Sequence, residues 1–172
     1  MGVLQLTKLP IKSQGHAYYV GVEGDIPEFK NGDDPNTANR VLLWTTVEKD
    51  GQEFTFVTTH FIWTPNGDPS DLQHESLAKL WPILNTLPPY ILSGDLNAPR
   101  GRAIFDEIAT RLHDNIPADV TTSIDGTLHK AGKLELMVDG LFSTPEYKLS
   151  NVRVEGNVSD HKALVAEVER VS

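Results

Sequence analysis

The 172-residue chain has an ordinary globular composition but is acidic, with 15 Lys plus Arg against 24 Asp plus Glu and a formal net charge of -9. This balance excludes a broad, non-specific nucleic-acid-binding surface, because no excess of cations is present to neutralise phosphates. The absence of cysteine excludes disulfides, thiolate nucleophiles and zinc–thiolate sites. No apolar run reaches the roughly 18 residues of a membrane span. The segment MGVLQLTKLP does not have the pattern of a secretory signal, and a cytoplasmic location is slightly favoured.

The first part of the chain alternates β-rich runs with polar turns. Four runs are predicted strands: Val3 to Leu6, His16 to Val22, Val41 to Glu48 and Phe54 to Phe61. The Asp50-Gly51 pair lies between the last two runs, which predicts a hairpin.

Residues 24–39 form a polar loop with repeated turn chemistry. Its four carboxylates are those of Asp25, Glu28, Asp33 and Asp34. They raise the alternative of a calcium-binding segment. Their spacing does not match an EF-hand loop, so a solvated loop is the favoured interpretation.

Two amphipathic segments are predicted helices. Residues 70–87 begin with Ser70 and Gln73, which match a capping box, and Pro82 is expected to kink or divide this helix. The second predicted helix runs from about Gly101 to Leu112. The remaining predicted strands are Tyr90 to Ser93, Leu134 to Phe142, Leu149 to Glu155 and Ala163 to Val171. Mainly β-structure with two inserted helices predicts an α/β or α+β sandwich in a single domain over residues 1–172.

Four short segments place Asp, Asn or His at or near the ends of predicted strands. They are Thr58-Thr59-His60, Gly94-Asp95-Leu96-Asn97, Val138-Asp139-Gly140-Leu141-Phe142 and Ser159-Asp160-His161. Strand ends display side chains to ligands, while the strand bodies hold them rigidly. These segments are therefore the candidate functional residues of the chain.

Asp95 and Asn97 are two residues apart, so extended backbone would place both on the same side. A carboxylate beside a carboxamide can hold a metal-bound water and orient a phosphoryl oxygen. The alternative is turn chemistry, which Asp and Asn also favour. Asp139 interrupts an apolar run, where an unpaired charge is costly, so it requires either a functional partner or a backbone hydrogen bond.

Asp160 offers a hard oxygen ligand suited to Mg²⁺ or Mn²⁺, and His161 can exchange a proton near neutral pH. Ser-Asp-His is also a common surface tripeptide, so both interpretations stay open on these residues alone. His60 ends a β-branched strand, where the alternative to function is a partly buried imidazole with a structural partner. Three other histidines lie in polar or amphipathic settings and are interpreted as ordinary: His16, His74 and His113.

In this order, the four segments resemble the endonuclease/exonuclease/phosphatase family, which includes deoxyribonuclease I. That family carries T-H, then G-D-x-N, then an Asp within an apolar strand, then S-D-H near the C-terminus. Residues 2–11 (GVLQLTKLPI) also resemble the family segment of glycine, apolar strand, Ser or Thr, Lys or Arg, and Pro. Each motif is weak alone, but the ordered set is specific and covers essentially the whole chain.

The resemblance implies a deoxyribonuclease I-like four-layer sandwich of two mostly antiparallel β-sheets with helices outside. It implies water attack on a phosphoester, either nucleic acid or a small phosphodiester or phosphomonoester, assisted by Mg²⁺ or Mn²⁺. Carried over to this chain, Asp160 becomes a metal ligand or its close support. Asp95 and Asn97 join the metal site and position the water and the phosphate.

The resemblance also assigns roles to the other candidates. His161 would contact the phosphate or take a proton, oriented by Asp139, and His60 would stabilise phosphoryl oxygens or assist leaving-group protonation. One departure is Met137, at a position where the family often has Arg or Lys, which removes a potential phosphate contact.

A second departure concerns the family's N-terminal motifs, an Asn-bearing strand and a Gln-Glu motif whose Glu is a metal ligand. Both precede the segment that resembles residues 2–11, and Glu23 and Glu28, which follow it, are not accepted as substitutes. The chain is therefore predicted to be an N-terminally truncated form of the domain. Lost strands would expose apolar surface, so self-association or a completing N-terminal segment is expected. A non-catalytic binding module or inactive fragment of the same fold is the alternative function.

Overall fold

Eight strands and two α-helices form the regular structure of residues 2–25, 36 and 38–171, the part of the chain that the computed structural model describes. The first four strands are β1 (Ile11–Val20), β2 (Arg40–Lys49), β3 (Gln52–Thr59) and β4 (Tyr90–Asp95). The last four are β5 (His113–Asp114), β6 (Asp139–Ser143), β7 (Tyr147–Glu155) and β8 (Ala163–Arg170). The helices are α1 (Asp71–Leu84) and α2 (Ala103–Ala109).

The strands form a six-stranded sheet in the order β1-β2-β3-β4-β6-β5 and a two-stranded sheet, β7-β8. Among the described strands, only the β3–β4 pair is parallel, and α1 lies in the crossover between these two strands. All other described pairs are antiparallel. The predicted fold class, two mostly antiparallel sheets with few helices, is confirmed.

Two apolar clusters hold these layers together. One joins the helices to a face of the larger sheet and includes Leu77, Leu80, Leu84, Ile104, Phe105, Ile108, Leu42, Val57, Leu92 and Phe142. The other lies between the two sheets and includes Val47, Phe54, Ile91, Leu141 and Tyr147, with Leu149, Leu164 and Val168 packed against it. The described residues thus form a helix layer and two sheet layers, with apolar burial as the driving force between them.

The hairpin and the first helix form where the sequence predicts them. Asp50, with a φ of 53°, and Gly51, with a φ of 77°, supply the left-handed backbone that the turn between β2 and β3 needs. At the start of α1, the Ser70 hydroxyl accepts the Gln73 N–H at 3.2 Å. Pro82 does not divide the helix, because it lies in the last turn and α1 ends two residues later.

Other predicted boundaries are wrong. No described residue forms a backbone hydrogen bond with residues 3–6, so the strand predicted from Val3 to Leu6 is absent, although the Gln5 side chain bonds the Phe56 carbonyl at 3.0 Å. The second helix is shorter than predicted, because extended backbone at Arg102 delays its start. Strand β6 begins at Asp139, so this residue opens the strand where the sequence placed it inside one.

Three carboxylates of the alternative calcium segment, Glu28, Asp33 and Asp34, lie outside the described residues. Within the described ranges, no helix combines the length and apolarity needed to cross a bilayer.

Candidate active site

The sheet topology brings separated candidate residues to one edge of the larger sheet. Strands β3 and β4 are parallel, so their carboxyl ends meet, and β6 runs antiparallel to β4 and starts at the same edge. His60 follows the end of β3, while Asp95 at the end of β4 is the direct cross-strand partner of Asp139 at the start of β6. His161 lies two residues before β8 and forms a bridge with Ile124.

These side chains form two contacting pairs. The Asp139 Oδ2 lies 2.7 Å from the His161 Nδ1, and the Asp95 Oδ2 lies 3.4 Å from the His60 Nε2. Their side chains are only 14% to 31% exposed. Ligand atoms of Asp95, Asp139 and His161 all lie within 4.8 Å of one another. Two carboxylates with one imidazole are a donor set that fits Mg²⁺ or Mn²⁺, which prefer oxygen ligands.

Burial shapes the electrostatics of this cluster. Burial, together with the neighbouring Asp139 carboxylate, raises the pKa of Asp95 to about 6. The hydrogen bond to Asp139 raises the pKa of His161 to about 9, so its imidazole is cationic at neutral pH. Burial lowers the pKa of His60, and the positive charges of Arg40 and His161 lower it further. The site therefore combines one cationic and one neutral imidazole with two closely spaced carboxylates.

The His161–Asp139 pair predicts that the protein loses stability as the pH rises above neutrality. The pKa of His161 is about 9 in the folded state against 6.5 ordinarily. Its contribution is complete below about pH 6.5 and is lost as the pH rises through about 9. The full difference corresponds to about 3 kcal/mol. Urea unfolding in EDTA measures it, with His161→Gln as the variant that lacks the effect; equal pH dependence in both proteins would contradict the assignment.

Asn97 does not continue the extended backbone that its spacing from Asp95 predicts. Its φ is 49°, and its N–H donates to the Asp95 Oδ1 at 2.8 Å, which closes a tight turn. Its side-chain Nδ2 donates to the Phe61 carbonyl at 3.2 Å. The structure thus brings Asn97 beside Asp95, as a residue that fixes the carboxylate and joins the segments after β3 and β4.

The loop before β8 holds His161 through several hydrogen bonds. The Ser159 hydroxyl accepts the His161 N–H at 3.2 Å and donates to the His161 carbonyl at 2.6 Å. The Asp160 carbonyl accepts the Asp125 N–H at 3.0 Å, and the buried Asp125 carboxylate accepts the Asn157 N–H at 2.7 Å. The Asp160 side chain is exposed and lies outside the group formed by Asp95, Asp139 and His161.

Sequence reasoning does not place three residues that lie near the site, and only Gln73 among them carries a motif, the capping box of α1. Arg40 begins β2, is 2% exposed, and acts electrostatically on His60 and Asp95. Gln73 donates from Nε2 to the Ile62 carbonyl at 2.9 Å and to the Asn97 carbonyl at 3.3 Å. His129 has its ring centre 6.4 Å from that of His161. Arg40 could have been noticed from the sequence, because an arginine at the start of an apolar strand is expected to be buried and a buried cation requires a partner.

No protein-family model and no curated protein sequence matches the chain. Solved structures do match it. An endonuclease/exonuclease/phosphatase from Bacteroides vulgatus has a TM-score of 0.69 at 19% identity, over 95% of this chain and 67% of that one. A mannosyl-6-phosphatase from Bacteroides thetaiotaomicron has a TM-score of 0.66 at 16% identity, over 94% and 67%. The human Nocturnin catalytic domain, solved with a bound sulfate, has a TM-score of 0.62 at 15% identity, over 95% and 60%. The chain thus shares their fold and spans about two thirds of their length.

Proposed function

We propose that this chain, which has the endonuclease/exonuclease/phosphatase fold, is the site-bearing part of a divalent-metal-dependent phosphoester hydrolase. The main support for this proposal is the cross-strand pair of Asp95 and Asp139, with His161 bonded to Asp139 and His60 beside Asp95. Ordinary turn or surface roles for these residues would not require four distant segments to meet at one sheet edge. The acidic balance favours a small phosphoester or a specific nucleic-acid substrate over bulk DNA.

Asp95 and Asp139 are the residues that would hold Mg²⁺ or Mn²⁺, with Asn97 fixing Asp95 and Asp160 supporting the site from outside. The Asp160 charge helps to raise the pKa of His161, which supports this peripheral role. A bound divalent cation would supply positive charge that offsets the charge developing on the phosphoryl group. The raised pKa of Asp95 fits such a site, because a nearby cation relieves the repulsion between Asp95 and Asp139.

The residues of the chain divide the remaining work in this proposal. The cationic His161, oriented by Asp139, donates a hydrogen bond to a phosphoryl oxygen. Asp95 orients the attacking water and accepts its proton. The neutral His60, whose Nε2 lies 3.4 Å from Asp95, stabilises the phosphoryl oxygens and assists the leaving group.

Turnover of bis(p-nitrophenyl) phosphate and p-nitrophenyl phosphate tests this function. We expect hydrolysis with Mg²⁺ or Mn²⁺ that stops in EDTA, is abolished by His161→Ala and is reduced by Asp160→Ala. His113→Ala, an exposed histidine on β5, is the matched control and should retain activity. No turnover in the parent chain would make it an incomplete enzyme or a binding module.

A non-catalytic module is the second candidate, and it is favoured by the exposed side chain of Asp160, a predicted metal ligand that lies outside the cluster of Asp95, Asp139 and His161. The two candidates separate when an upstream segment that carries the family's Asn and Gln-Glu motifs is added. Rescue of turnover would assign an enzyme that needs this segment. Specific phosphoester binding without rescue would assign a binding module.

Exposed apolar side chains near the start of the described chain lead us to propose self-association or docking of a completing segment. Leu4 is 75% exposed and Leu6 is 87% exposed, and large apolar patches mark interaction surfaces. Light scattering after gel filtration should give a mass above 19.0 kDa for the chain alone. The Leu4→Ser, Leu6→Ser double variant should shift toward monomer. A monomeric parent chain that unfolds cooperatively would overturn the proposal.

A further inference from the structure

A third imidazole lies beside the proposed phosphoryl site. His129 belongs to the segment between β5 and β6, and its ring centre is 6.4 Å from that of His161, with the ring planes inclined by 60°. His129 is partly buried and is not among the clustered ligands Asp95, Asp139 and His161. His129 is therefore a polar group at the edge of the site to which the proposed function assigns no metal-binding or acid–base role.

Hydrogen bonds define which nitrogen of His129 is available. Its Nδ1 accepts the Ala131 N–H at 3.2 Å, so in the neutral ring the proton resides on Nε2. The His129 N–H donates to the Asp125 carbonyl at 2.8 Å, and the His129 carbonyl accepts the Gly132 N–H at 2.8 Å. The ring is thus fixed on a well-bonded turn with Nε2–H left as a donor.

Asp125 also fixes the turn relative to His161. The Asp125 side chain accepts N–H groups from Thr127 at 3.0 Å and from Asn157 at 2.7 Å, and the residue is only 5% exposed. Its own N–H donates to the Asp160 carbonyl, the residue before His161. One buried carboxylate therefore joins the His129 turn to the His161 loop, which holds the two imidazoles at a set separation.

The local charge around His129 differs from that of the whole chain. Residues 126–133 (GTLHKAGK) contain Lys130 and Lys133 and no acidic residue, whereas the chain carries a formal net charge of -9. Lys133 is paired with Glu135 at 3.1 Å, and Lys130 is exposed beside His129. The charge of Lys130, next to the cationic His161, favours an anionic ligand.

We propose that His129 is a phosphate-binding residue whose Nε2–H donates to a non-bridging oxygen of the phosphoryl group held at His161, and that the site takes a phosphomonoester. This assignment rests on the proposed function. A phosphodiester has two non-bridging oxygens and a phosphomonoester has three. With His60, His161, His129 and a cation directed to one group, the larger number of acceptors fits better.

Three variants of His129 separate phosphate binding through Nε2–H from the structural hydrogen bond at Nδ1. Gln places an amide N–H near the position of Nε2, so His129→Gln should keep the donor. Asn places its oxygen near the position of Nδ1, so His129→Asn should keep the bond from Ala131 but lose the donor. His129→Ala loses both, and His113→Ala is the control at an exposed imidazole outside the site.

The measurement is a titration of the chain with inorganic phosphate in Mg²⁺, followed by the imidazole signals in NMR spectra. We expect phosphate to shift the His129 signal, and His129→Ala and His129→Asn to weaken phosphate binding by about 10-fold, the effect of one lost hydrogen bond to an anion. His129→Gln should bind close to the parent level. Dimethyl phosphate, a diester probe, should bind several-fold more weakly than inorganic phosphate.

Either of two results would overturn the role of His129. The first is phosphate binding that leaves the His129 signal and the affinity of His129→Ala unchanged, or no phosphate binding at all. The second is recovery by Asn but not by Gln, which would show that the Nδ1 bond and hence structure is what matters. Dimethyl phosphate binding as tight as that of phosphate would overturn the phosphomonoester class. None of these binding measurements requires turnover. A chain that fails to hydrolyse phosphoesters can therefore be told apart from one in which His129 does not bind phosphate.

Discussion

Replacing Asp139 by Asn is expected to lower kcat/KM for phosphoester hydrolysis by about 100- to 10,000-fold, the range for loss of positioned acid–base chemistry. The Asp139 Oδ2 lies 2.7 Å from the His161 Nδ1 and is the largest cause of the raised pKa of His161. Asn keeps the shape of Asp but removes the negative charge that orients the His161 ring and stabilises its protonated form. The same substitution should return the pKa of His161 from about 9 toward its ordinary value. Steady-state kinetics and an NMR titration of His161 measure both effects.

Asp119→Asn is the matched control for this substitution. Asp119 is exposed on the same segment that leads to β6, so its replacement should change neither activity nor the His161 pKa. Parent-like turnover of Asp139→Asn, with the His161 pKa lowered, would show that the ion pair forms but does not serve catalysis. An unchanged pKa would contradict the contact itself.

Gly94→Ala is expected to destabilise the protein by about 3 kcal/mol or more and to displace Asp95. Gly94 has a φ of 145°, which L-residues rarely adopt, and a Cβ there would lie 2.0 Å from the Thr59 carbonyl oxygen. The clash falls between the parallel strands β3 and β4, where neither backbone can move without breaking the sheet ladder. Strain and overpacking each cost on the order of 1–3 kcal/mol. Urea unfolding gives the loss of stability, and Mn²⁺ affinity reports on Asp95.

Gly101→Ala separates strain from clash. Gly101 has a φ of 81°, yet a Cβ there would meet no atom within 4 Å. Its replacement should cost only about 1–2 kcal/mol, the price of a left-handed residue without a steric conflict. Equal losses at Gly94 and Gly101 would contradict the close approach of β3 and β4.

Much of the fold follows from local sequence patterns. The Asp50-Gly51 turn and its flanking β-rich runs specify a hairpin, and Ser70 with the following apolar spacing specifies the start of α1. Val3 to Leu6 shows the limit of such patterns. Its apolar run reads as a strand, but a strand also requires a neighbouring backbone, which no described residue supplies.

The sequence motifs point to residues of the candidate site but not to its geometry, and Asp160, a predicted metal ligand, lies outside the cluster. Asp95, Asp139 and His161 carry motifs, but their meeting depends on a register between β4 and β6 that short-range patterns do not specify. Asn97 adopts left-handed backbone that its spacing from Asp95 does not reveal. Gln73 matches a capping box, yet its amide instead joins the segments that follow β3 and β4. Such long-range hydrogen bonds depend on tertiary packing.

The most direct test of the central claim is Mn²⁺ binding to the chain, measured by electron paramagnetic resonance. If Asp95 and Asp139 form a divalent-metal site, the parent chain should bind Mn²⁺ saturably. Asp95→Asn should then weaken binding by about 10-fold or more, while Asp119→Asn should leave it unchanged. Equal Mn²⁺ affinity in the parent and Asp95→Asn, or no saturable binding in the parent, would contradict a metal site at this sheet edge.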